Sequence, residues 1–501
     1  MKLRIALPLL SLIITGVLMT SCSRNSADQA VLLPVEDDPT ISFRIWFKTG
    51  SQADPAGLEG ITALTASMMM EGATEKNSYE DILTALYPMA ASYGVTVDKE
   101  MTVFTGRVHS DNLHEYYPFF IDALLHPAFT EEDFTRIRTN MINGIEKSLR
   151  YSDDEELGKA AFYNFVYDGT PYGHLDAGSV SSLEAITLKD VRAFYKSWFT
   201  RDNVVIGLGG GYEDTLLTRL QTDLAQLPEG TLVQPGAPAP LPLEGRHVLL
   251  VEKECNATAI SFGFPIDVLR GDDDFWALAL FNSWFGEHRN SSSHLYQVIR
   301  EARGMNYGDY SYIEIFPNGG RRQMAAPNHA RRQQLFEVWL RPVQHVHRHF
   351  ALRAAIRELQ HVVDSGMTKE DFTLTQQFLD KYALHFATTT MGRLGYAIDS
   401  RFYGIDENYI ALFRKKIAAL TLEDVNAAIR RHLQYDNLRI AMVTSGAEEF
   451  AAQLAEDVPS PVTYDTPKPE EVLTEDREIE MYPLEIAREN IRIVPVEEMF
   501  R

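Results

Sequence analysis

Three histidines at alternating positions form the most obvious candidate for metal chemistry in the sequence. His345, His347 and His349 stand in the stretch Arg-Pro-Val-Gln-His-Val-His-Arg-His-Phe. On a β-strand these side chains would share one face, and three imidazoles can bind zinc. However, Pro342 and the helix-like residues 351–363 indicate a connection from a strand to a helix. We therefore predict solvated loop histidines rather than a zinc site.

The remaining reactive or charged side chains do not form a recognisable catalytic motif in the sequence. Arg321-Arg322 and Arg331-Arg332 are basic pairs that could face an acidic partner or a peptide, although a solvated loop is the favoured interpretation. Cys255 lacks an activating neighbour of the kind that a thiol nucleophile needs. The sequence contains no G-x-S-x-G elbow, P-loop or paired Cys motif.

The composition is that of a globular protein with an acidic surface. The chain has 501 residues, of which 45% are hydrophobic and 23% are charged, and its net charge is −23. This charge argues against nucleic acid or an anionic membrane surface as a partner, because both attract basic proteins.

The first residues have the pattern of an export signal. A basic start is followed by an apolar stretch over residues 5–19, which is short for a membrane span. Small residues then lead into Cys22, as in a bacterial lipoprotein cleavage box. This pattern predicts a signal peptide over 1–22, a lipidated Cys22 and a tether over 23–40. The expected location is the bacterial envelope, on the periplasmic side, although an ordinary signal peptide with an accidental Cys is the alternative.

A Pro- and Gly-rich linker over 228–246 divides the rest of the chain into an N-terminal lobe, 41–227, and a C-terminal lobe, 247–450. The pattern Ile-Thr-Leu-Lys-Asp-Val followed by Asp-Asn-Val-Val-Ile, over 186–206, recurs without a gap over 420–440. This repeat predicts two lobes of similar fold.

Hydrophobic periodicity predicts strands and helices in both lobes. Strands are expected at 41–49, 203–208, 247–251 and 259–264, and helices at 61–70, 112–125, 130–150, 187–199 and 274–285. The last residues, 451–501, are strongly acidic with scattered Pro. They predict an acidic tail or a strap on the body, with plain disorder as the alternative.

A family resemblance centres on residues 50–73, which read G-S-Q-A-D-P-A-G-L-E-G-I-T-A-L-T-A-S-M-M-M-E-G-A. Together with the repeat, Pro171-Tyr172-Gly173 and the segment 294–308, this stretch resembles the M16 zinc peptidases of the insulinase and mitochondrial-processing-peptidase type. The resemblance covers roughly residues 35–450. It implies an α+β fold with two homologous lobes, each an antiparallel sheet packed by helices, closing like a clamshell over an extended peptide.

The zinc motif of that family is degenerate here. Where its members carry H-x-x-E-H, with two zinc ligands and a general base, this chain has Ala63, Ala66 and Ser67. The third family ligand, a Glu, corresponds to Glu146. One carboxylate without imidazoles does not hold zinc tightly, so Glu146 is at most a remnant on a solvated helix face. We expect no catalytic residue and no bound metal in this chain.

A second functional feature of the family matches residues of the C-terminal lobe. An Arg and a Tyr seven residues apart contact the substrate peptide near the zinc in active relatives, and Arg300 and Tyr307 match them. Both side chains can donate to a scissile carbonyl as it gains charge. The alternative is a surface Arg and a Tyr in a strand core.

These features lead to three hypotheses for the function of the chain. The first is a non-catalytic subunit that supplies Arg300 and Tyr307 to a zinc-bearing M16 partner for peptide hydrolysis, so that the zinc lies in the partner. The second is a non-enzymatic peptide-binding or scaffold protein of the cell envelope. The third is a zinc metalloendopeptidase with relocated ligands, for which only Glu146 and the three histidines offer material.

Overall fold

The computed structural model describes residues 30–230, 236–317 and 324–501. The expected signal peptide, Cys22, the first part of the tether and Arg321-Arg322 lie outside these residues. Within the described parts, no helix has the length and apolar character needed to cross a bilayer.

A five-stranded sheet forms the base of the N-terminal lobe. Its strands in spatial order are β1-β5-β2-β4-β3, with β1 parallel to β5 and the other pairs antiparallel. The strands are β1 (Ala30–Pro34), β2 (Thr40–Phe47), β3 (Ser92–Val97), β4 (Thr102–His109) and β5 (Val204–Gly210). The helices of this lobe are α1 (Ile61–Glu71), α2 (Tyr79–Leu86), α3 (Leu113–Leu125), α4 (Glu131–Asn143), α5 (Asp154–Val166), α6 (Val180–Ala185), α7 (Leu188–Trp198) and α8 (Asp214–Leu224).

A six-stranded sheet forms the base of the C-terminal lobe, in the order β11-β6-β10-β7-β9-β8. Its strands are β6 (His247–Glu252), β7 (Ala257–Ile266), β8 (Asp309–Tyr312), β9 (Gln334–Gln344), β10 (Arg439–Thr444) and β11 (Ile491–Pro495). The helices are α9 (Asp273–Gly286), α10 (Arg348–Ser365), α11 (Lys369–Tyr382), α12 (Thr390–Phe402), α13 (Tyr409–Ala419), α14 (Leu422–His432), α15 (Ala447–Ala455) and α16 (Glu470–Ile479). Neither 228–230 nor 236–246 of the expected linker contains a helix or a strand.

The two lobes repeat one topology, which confirms the prediction of homologous lobes. The order β1-β5-β2-β4-β3 corresponds to β6-β10-β7-β9-β8, and β11 is an addition. The repeated sequence forms a helix followed by a strand in each lobe, α7 with β5 and α14 with β10. Both helices begin with a Thr-x-x-Asp capping box, Thr187 with Asp190 and Thr421 with Asp424. The shared motif thus fixes the same helix start in both lobes.

The lobes interlock by exchanging one helix each. The N-terminal lobe's α5 packs on the C-terminal sheet, where Phe162 joins a core with Ala259 and Val443. In return, α12 packs on the N-terminal sheet, where Ile398 joins Trp46. Strand β2 is therefore buried on both faces, one against the helices of its own lobe and the other against α12.

The expected tether extends too far, because its residues from Ala30 onwards are part of the fold. Residues Ala30–Pro34 form β1, which pairs in parallel with Ile206 to Gly210 of β5. Alternation along this short edge strand is weak, since all its side chains are exposed or half-buried. Hydrophobic periodicity therefore gave no signal for it.

The residues predicted as an acidic tail are an integral part of both lobes. They contain the end of α15, all of α16 and the edge strand β11, which pairs with β6. Beyond β11 the chain returns to the N-terminal lobe, where Arg150 Nε donates to the carbonyl of Met499 at 2.9 Å. The acidity is explained by buried basic partners: Arg303 alone binds Glu475 and Asp476, at 2.7 and 2.8 Å. The disorder alternative is wrong for these residues.

Candidate functional site

The helix with the degenerate positions is held firmly at its N-terminus. Before α1, Gly60 takes a left-handed conformation (φ 95°) and lies so close to the carbonyl of Ala177 that a Cβ would clash with it. Asp54 caps the helix by accepting from the main-chain N–H groups of Gly60 at 2.6 Å and Thr62 at 3.1 Å. Burial raises the pKa of Asp54 to about 7, although these hydrogen bonds oppose the shift. The backbone of α1 is thus positioned without any metal.

The three degenerate positions keep the geometry of a metal-binding helix face but not its chemistry. Ala63 and Ser67 are one turn apart and half-buried on one side of α1, and Ala66 is fully buried. A methyl group offers no lone pair, and a Ser hydroxyl is a poor zinc ligand at neutral pH. These residues do not fit a zinc ion, and we derive no metal chemistry from them.

Glu146 lies in a π-helical turn, Gly144–Leu149, that continues α4. Its side chain is 44% exposed, and its carboxylate is 4.0 Å from the Arg150 guanidinium. Gly144, two residues earlier, lines the cavity described in the next paragraph, and no heavy atom outside its own helix turn lies within 4 Å of the position that a Cβ would take there. The structure therefore places Glu146 on a solvated helix face. Across 30–230, 236–317 and 324–501, no group of three or more His, Cys, Asp or Glu side chains could hold a metal ion.

A cavity of about 380 Å³ lies where the two lobes meet. The end of α4, one face of α5, the loop 172–177, Lys99 and three residues of the C-terminal lobe, Phe316, Pro317 and Arg331, line it. Its walls are largely aromatic and aliphatic, and the fully buried hydroxyl of Tyr167 lacks a hydrogen-bond partner among the described residues. The cavity can therefore accept an apolar group.

Charged side chains around this cavity are paired across short distances. Lys99 Nζ lies 2.9 Å from Asp176, and Lys159 forms an ion pair with Glu156. Burial, with a smaller contribution from Lys99, lowers the pKa of His174, so this imidazole is neutral near pH 7.

An acidic hairpin turn joins the lobes next to the cavity. Asp98, between β3 and β4, accepts from His329 Nδ1 at 2.6 Å and from Arg331 Nε at 2.5 Å. Burial alone would raise the pKa of Asp98, but Arg331 and His329 outweigh it and hold the pKa well below its usual range. Glu100 binds Arg332 in the same way. The prediction of a solvated loop for Arg331-Arg332 is therefore wrong. Both Arg side chains bind acidic residues of the same chain, Asp98 and Glu100.

The three alternating histidines do connect a strand to a helix, as predicted, but they are not solvated. They run from a turn, His345–His347, into the start of α10. His345 is half-buried, and its Nδ1 lies 2.8 Å from the Thr258 hydroxyl. His349 is buried against the ring of Phe450, and burial lowers its pKa to about 4. These side chains take separate places in the packing and form no cluster.

Arg300 and Tyr307 lie close together on the surface of the C-terminal lobe. Arg300 is in a π-helical turn, Tyr296–Glu301, and a left-handed Gly304 (φ 74°) turns the chain towards β8. The Arg300 guanidinium lies 5.7 Å from the ring centroid of Tyr307, whose side chain is 79% exposed. Tyr307 precedes β8, so the alternative of a strand core residue is wrong for it.

The neighbouring Arg303 has a different role from Arg300. It is buried and donates to Asp476 at 2.8 Å, which fixes α16 to the lobe. In the described residues, the ring of Tyr307 is the contact recorded for the Arg300 side chain. No hydrogen bond, ion pair or ring contact in the described parts of the chain joins Arg300 or Tyr307 to α1. In the described residues, α1 with Ala63, Ala66 and Ser67 and the Arg300–Tyr307 pair therefore lie in separate parts of the fold, and we refer to these two places as the expected half-sites.

Comparison with known proteins agrees with this architecture. Residues 30–167 match the family model "Insulinase (Peptidase family M16)", and residues 185–379 match the model "Peptidase M16 inactive domain". The chain belongs to the M16 peptidase family.

Individual relatives carry two kinds of name, zinc protease and non-peptidase homolog. An uncharacterized zinc protease of Streptomyces coelicolor is 25% identical over 401 residues, which are 78% of this chain and 82% of the relative. The non-peptidase homolog YmxG of Helicobacter pylori is 21% identical over 405 residues, covering 80% and 88%. The crystal structure of a peptidase M16 inactive domain from Pseudomonas fluorescens has the same fold, with a TM-score of 0.73, 22% identity and coverage of 84% and 97%.

Proposed function

We propose that this protein is the non-catalytic subunit of an M16 heterodimer and supplies Arg300 and Tyr307 to the active site of a zinc-bearing partner. The observation that carries the proposal is the contrast between the two half-sites. All three motif positions on α1 lack ligand or base chemistry, whereas the Arg and Tyr side chains are present and turned to the surface.

The chemistry of the exposed pair supports this role. A guanidinium and a phenol hydroxyl can both donate to the carbonyl oxygen of a scissile peptide bond, and such donors act most strongly as that oxygen gains charge. The stacking of Arg300 over the Tyr307 ring limits the orientations of both side chains before a peptide binds. A ring that is 79% exposed contributes little to folding and is accessible to another molecule.

The interlocked lobes also favour a second chain. Helices α5 and α12 fill the outer faces of the opposite sheets, so the lobes cannot separate without exposing an apolar core. An extended peptide would therefore be enclosed between this chain and a partner chain, and not between the two lobes of this chain. In this proposal the peptide is the substrate, the zinc belongs to the partner, and Cys22 anchors the subunit to the periplasmic side of the envelope through its lipid.

A peptide-binding or scaffold protein without hydrolysis is the second candidate. The name of the Helicobacter pylori relative, a non-peptidase homolog, favours it. A zinc peptidase with relocated ligands is not supported, since neither Glu146 nor the three histidines belong to a ligand group.

The test is reconstitution with an M16 protein that carries an intact H-x-x-E-H motif and is encoded next to this chain. A quenched fluorescent peptide library is assayed with each protein alone and with an equimolar mixture. We expect hydrolysis by the mixture, with zinc found only in the partner. Complex formation without any gain in hydrolysis would support the scaffold function instead.

A further inference from the structure

The short turn that carries Tyr307 is held from inside by the side chain of its neighbour. Asn306 is only 5% exposed, whereas Tyr307 is 79% exposed. The Oδ1 atom of Asn306 accepts from the main-chain N–H of Gly308 at 3.3 Å, which closes a side-chain turn around the residue between them. The main chain of Tyr307 is therefore restrained by a buried side chain, while its ring remains on the surface.

The amide nitrogen of Asn306 is fixed as well. Its two hydrogens have two acceptors, since Nδ2 lies 2.6 Å from Asp309 Oδ1 and 3.1 Å from the main-chain carbonyl oxygen of Arg341. In return, the main-chain N–H of Arg341 donates to the carbonyl oxygen of Gly308 at 3.0 Å. The Tyr307 turn is therefore joined to β9 at two points, and to the start of β8 through Asp309.

Asp309 supports this arrangement from the interior of the lobe. Its side chain is fully buried, and burial raises the pKa of its carboxyl well above the usual range, although the Asn306 hydrogen bond and the charge of Arg300 oppose the shift. No ion pair between Asp309 and Arg300 is recorded in the described parts of the chain, and the Arg300 guanidinium lies 5.7 Å from the centroid of the Tyr307 ring. Asp309 thus acts on the pair by holding Asn306, and not as a counter-ion of Arg300.

We propose that Asn306 is a positioning residue for Tyr307 and Arg300, and that Asp309 holds Asn306 in its place. The inference rests on the proposed function, in which the phenol and the guanidinium donate to a peptide carbonyl. A donor contributes to catalysis only when it is held in the productive orientation before the reaction, and an exposed ring needs a firm main chain for this. The three hydrogen bonds of the Asn306 side chain supply that support without covering the ring.

The first measurement uses the full chain without a partner. A fluorotyrosine is incorporated at position 307 alone, and its fluorine resonance reports the surroundings of the ring. Arg300→Ala gives the reference resonance of a ring without its guanidinium neighbour. In Asn306→Ala we expect the resonance to move towards that reference and the Gly308 N–H to exchange with solvent at least about tenfold faster. An unchanged fluorine resonance would overturn the proposal, whatever the activity of the complex.

The second measurement uses the complex with the zinc-bearing partner. Asn306→Ala should lower kcat by roughly tenfold to a hundredfold, as expected for a displaced donor, with KM nearly unchanged. The matched control is Asn203→Ala in the N-terminal lobe, where the buried Asn203 side chain donates to the carbonyl of Trp198 at 3.0 Å. This control should lower the melting temperature and leave kcat and the fluorine resonance unchanged. An equal loss of kcat in both variants would show a general effect of stability and would reject the proposal.

An exchange of the two side chains tests the pairing at constant volume. Asn306→Asp alone makes two carboxyl groups face each other, whereas adding Asp309→Asn restores one donor and one acceptor. The double variant should recover the fluorine resonance and part of kcat relative to Asn306→Asp. No recovery would overturn the role of Asp309. If the resonance responds as expected while the wild-type mixture shows no hydrolysis, the positioning of the pair is supported and the peptidase function is rejected.

Discussion

Removal of a single hydroxyl from Tyr307 gives the sharpest test of the split active site. In Tyr307→Phe the ring stays, and with it the stacking of Arg300 at 5.7 Å. The side chain is 79% exposed, and no hydrogen bond of its hydroxyl is recorded in the described parts of the chain. The free energy of unfolding should therefore change by no more than about 0.5 kcal/mol, as for other exposed positions.

The same change should greatly reduce the peptidase rate of the complex. Losing one donor to a developing oxyanion typically costs about 3 kcal/mol, or roughly a hundredfold to a thousandfold in kcat. Arg300→Lys should have a similar effect, because an ammonium group lacks the planar pair of donors that a guanidinium offers. Both variants should still bind the partner, since the loss applies to the transition state rather than to the interface.

The assay needs the partner subunit, a quenched fluorescent peptide and a thermal melt of the same samples. Tyr87→Phe is the matched control, because Tyr87 is 87% exposed and lies in the other lobe. Full activity of the Tyr307 and Arg300 variants in the complex would refute the split site. A fall in activity that follows a fall in melting temperature would show a structural role instead.

Three further predictions concern the metal, the anchor and the lobe junction. Elemental analysis of the purified chain after dialysis should find no stoichiometric zinc, and one zinc per chain would contradict our interpretation of α1. Cys22→Ala should abolish acylation and move the protein out of the membrane fraction; unchanged detergent partitioning would reject the lipoprotein signal. Asp98→Asn should cost about 3 to 5 kcal/mol of unfolding free energy at pH 7, because Arg331 stays buried without its partner, whereas the exposed Asp406→Asn should be neutral. The pKa of Asp98 is lowered in the fold, so its contribution to the free energy of unfolding is complete above the ordinary Asp pKa of about 3.9. That contribution is lost only as the pH falls further. Urea melts of the variant and the wild type should therefore converge in acid.

Local patterns in the sequence predicted elements whose physical causes are local. The repeat over 186–206 and 420–440 predicted two lobes of similar fold, and the alternation in residues 41–49 predicted β2. Elements that depend on distant partners were missed. Strand β11 exists because β6 offers it an edge, and its acidic surroundings indicated a tail instead. The exchanged helix α5 likewise owes its buried face to a sheet of the other lobe.

The same distinction applies to the candidate site. A missing lone pair is a property of a residue type, so the absence of ligands at Ala63 and Ala66 could be stated from the sequence alone. The partners of charged residues could not: Arg331 and Asp98 are far apart in the chain, and only the packing of the lobes brings them together. Their signal in the sequence was an acidic hairpin turn, Asp98-Lys99-Glu100, with two carboxylates and one Lys, and the basic pair Arg331-Arg332 in a loop.

The contacts that hold α1 and the lobe junction do not depend on the residues at the degenerate positions. In this chain α1 is placed by Asp54 and by the close approach of Gly60 to Ala177, and neither contact involves the degenerate positions. The lobes are held by exchanged helices and by the pairs of Asp98 and Glu100. A framework held in this way does not need ligand residues at Ala63, Ala66 or Ser67, so the half-buried Arg300 and the exposed Tyr307 stay in place on it.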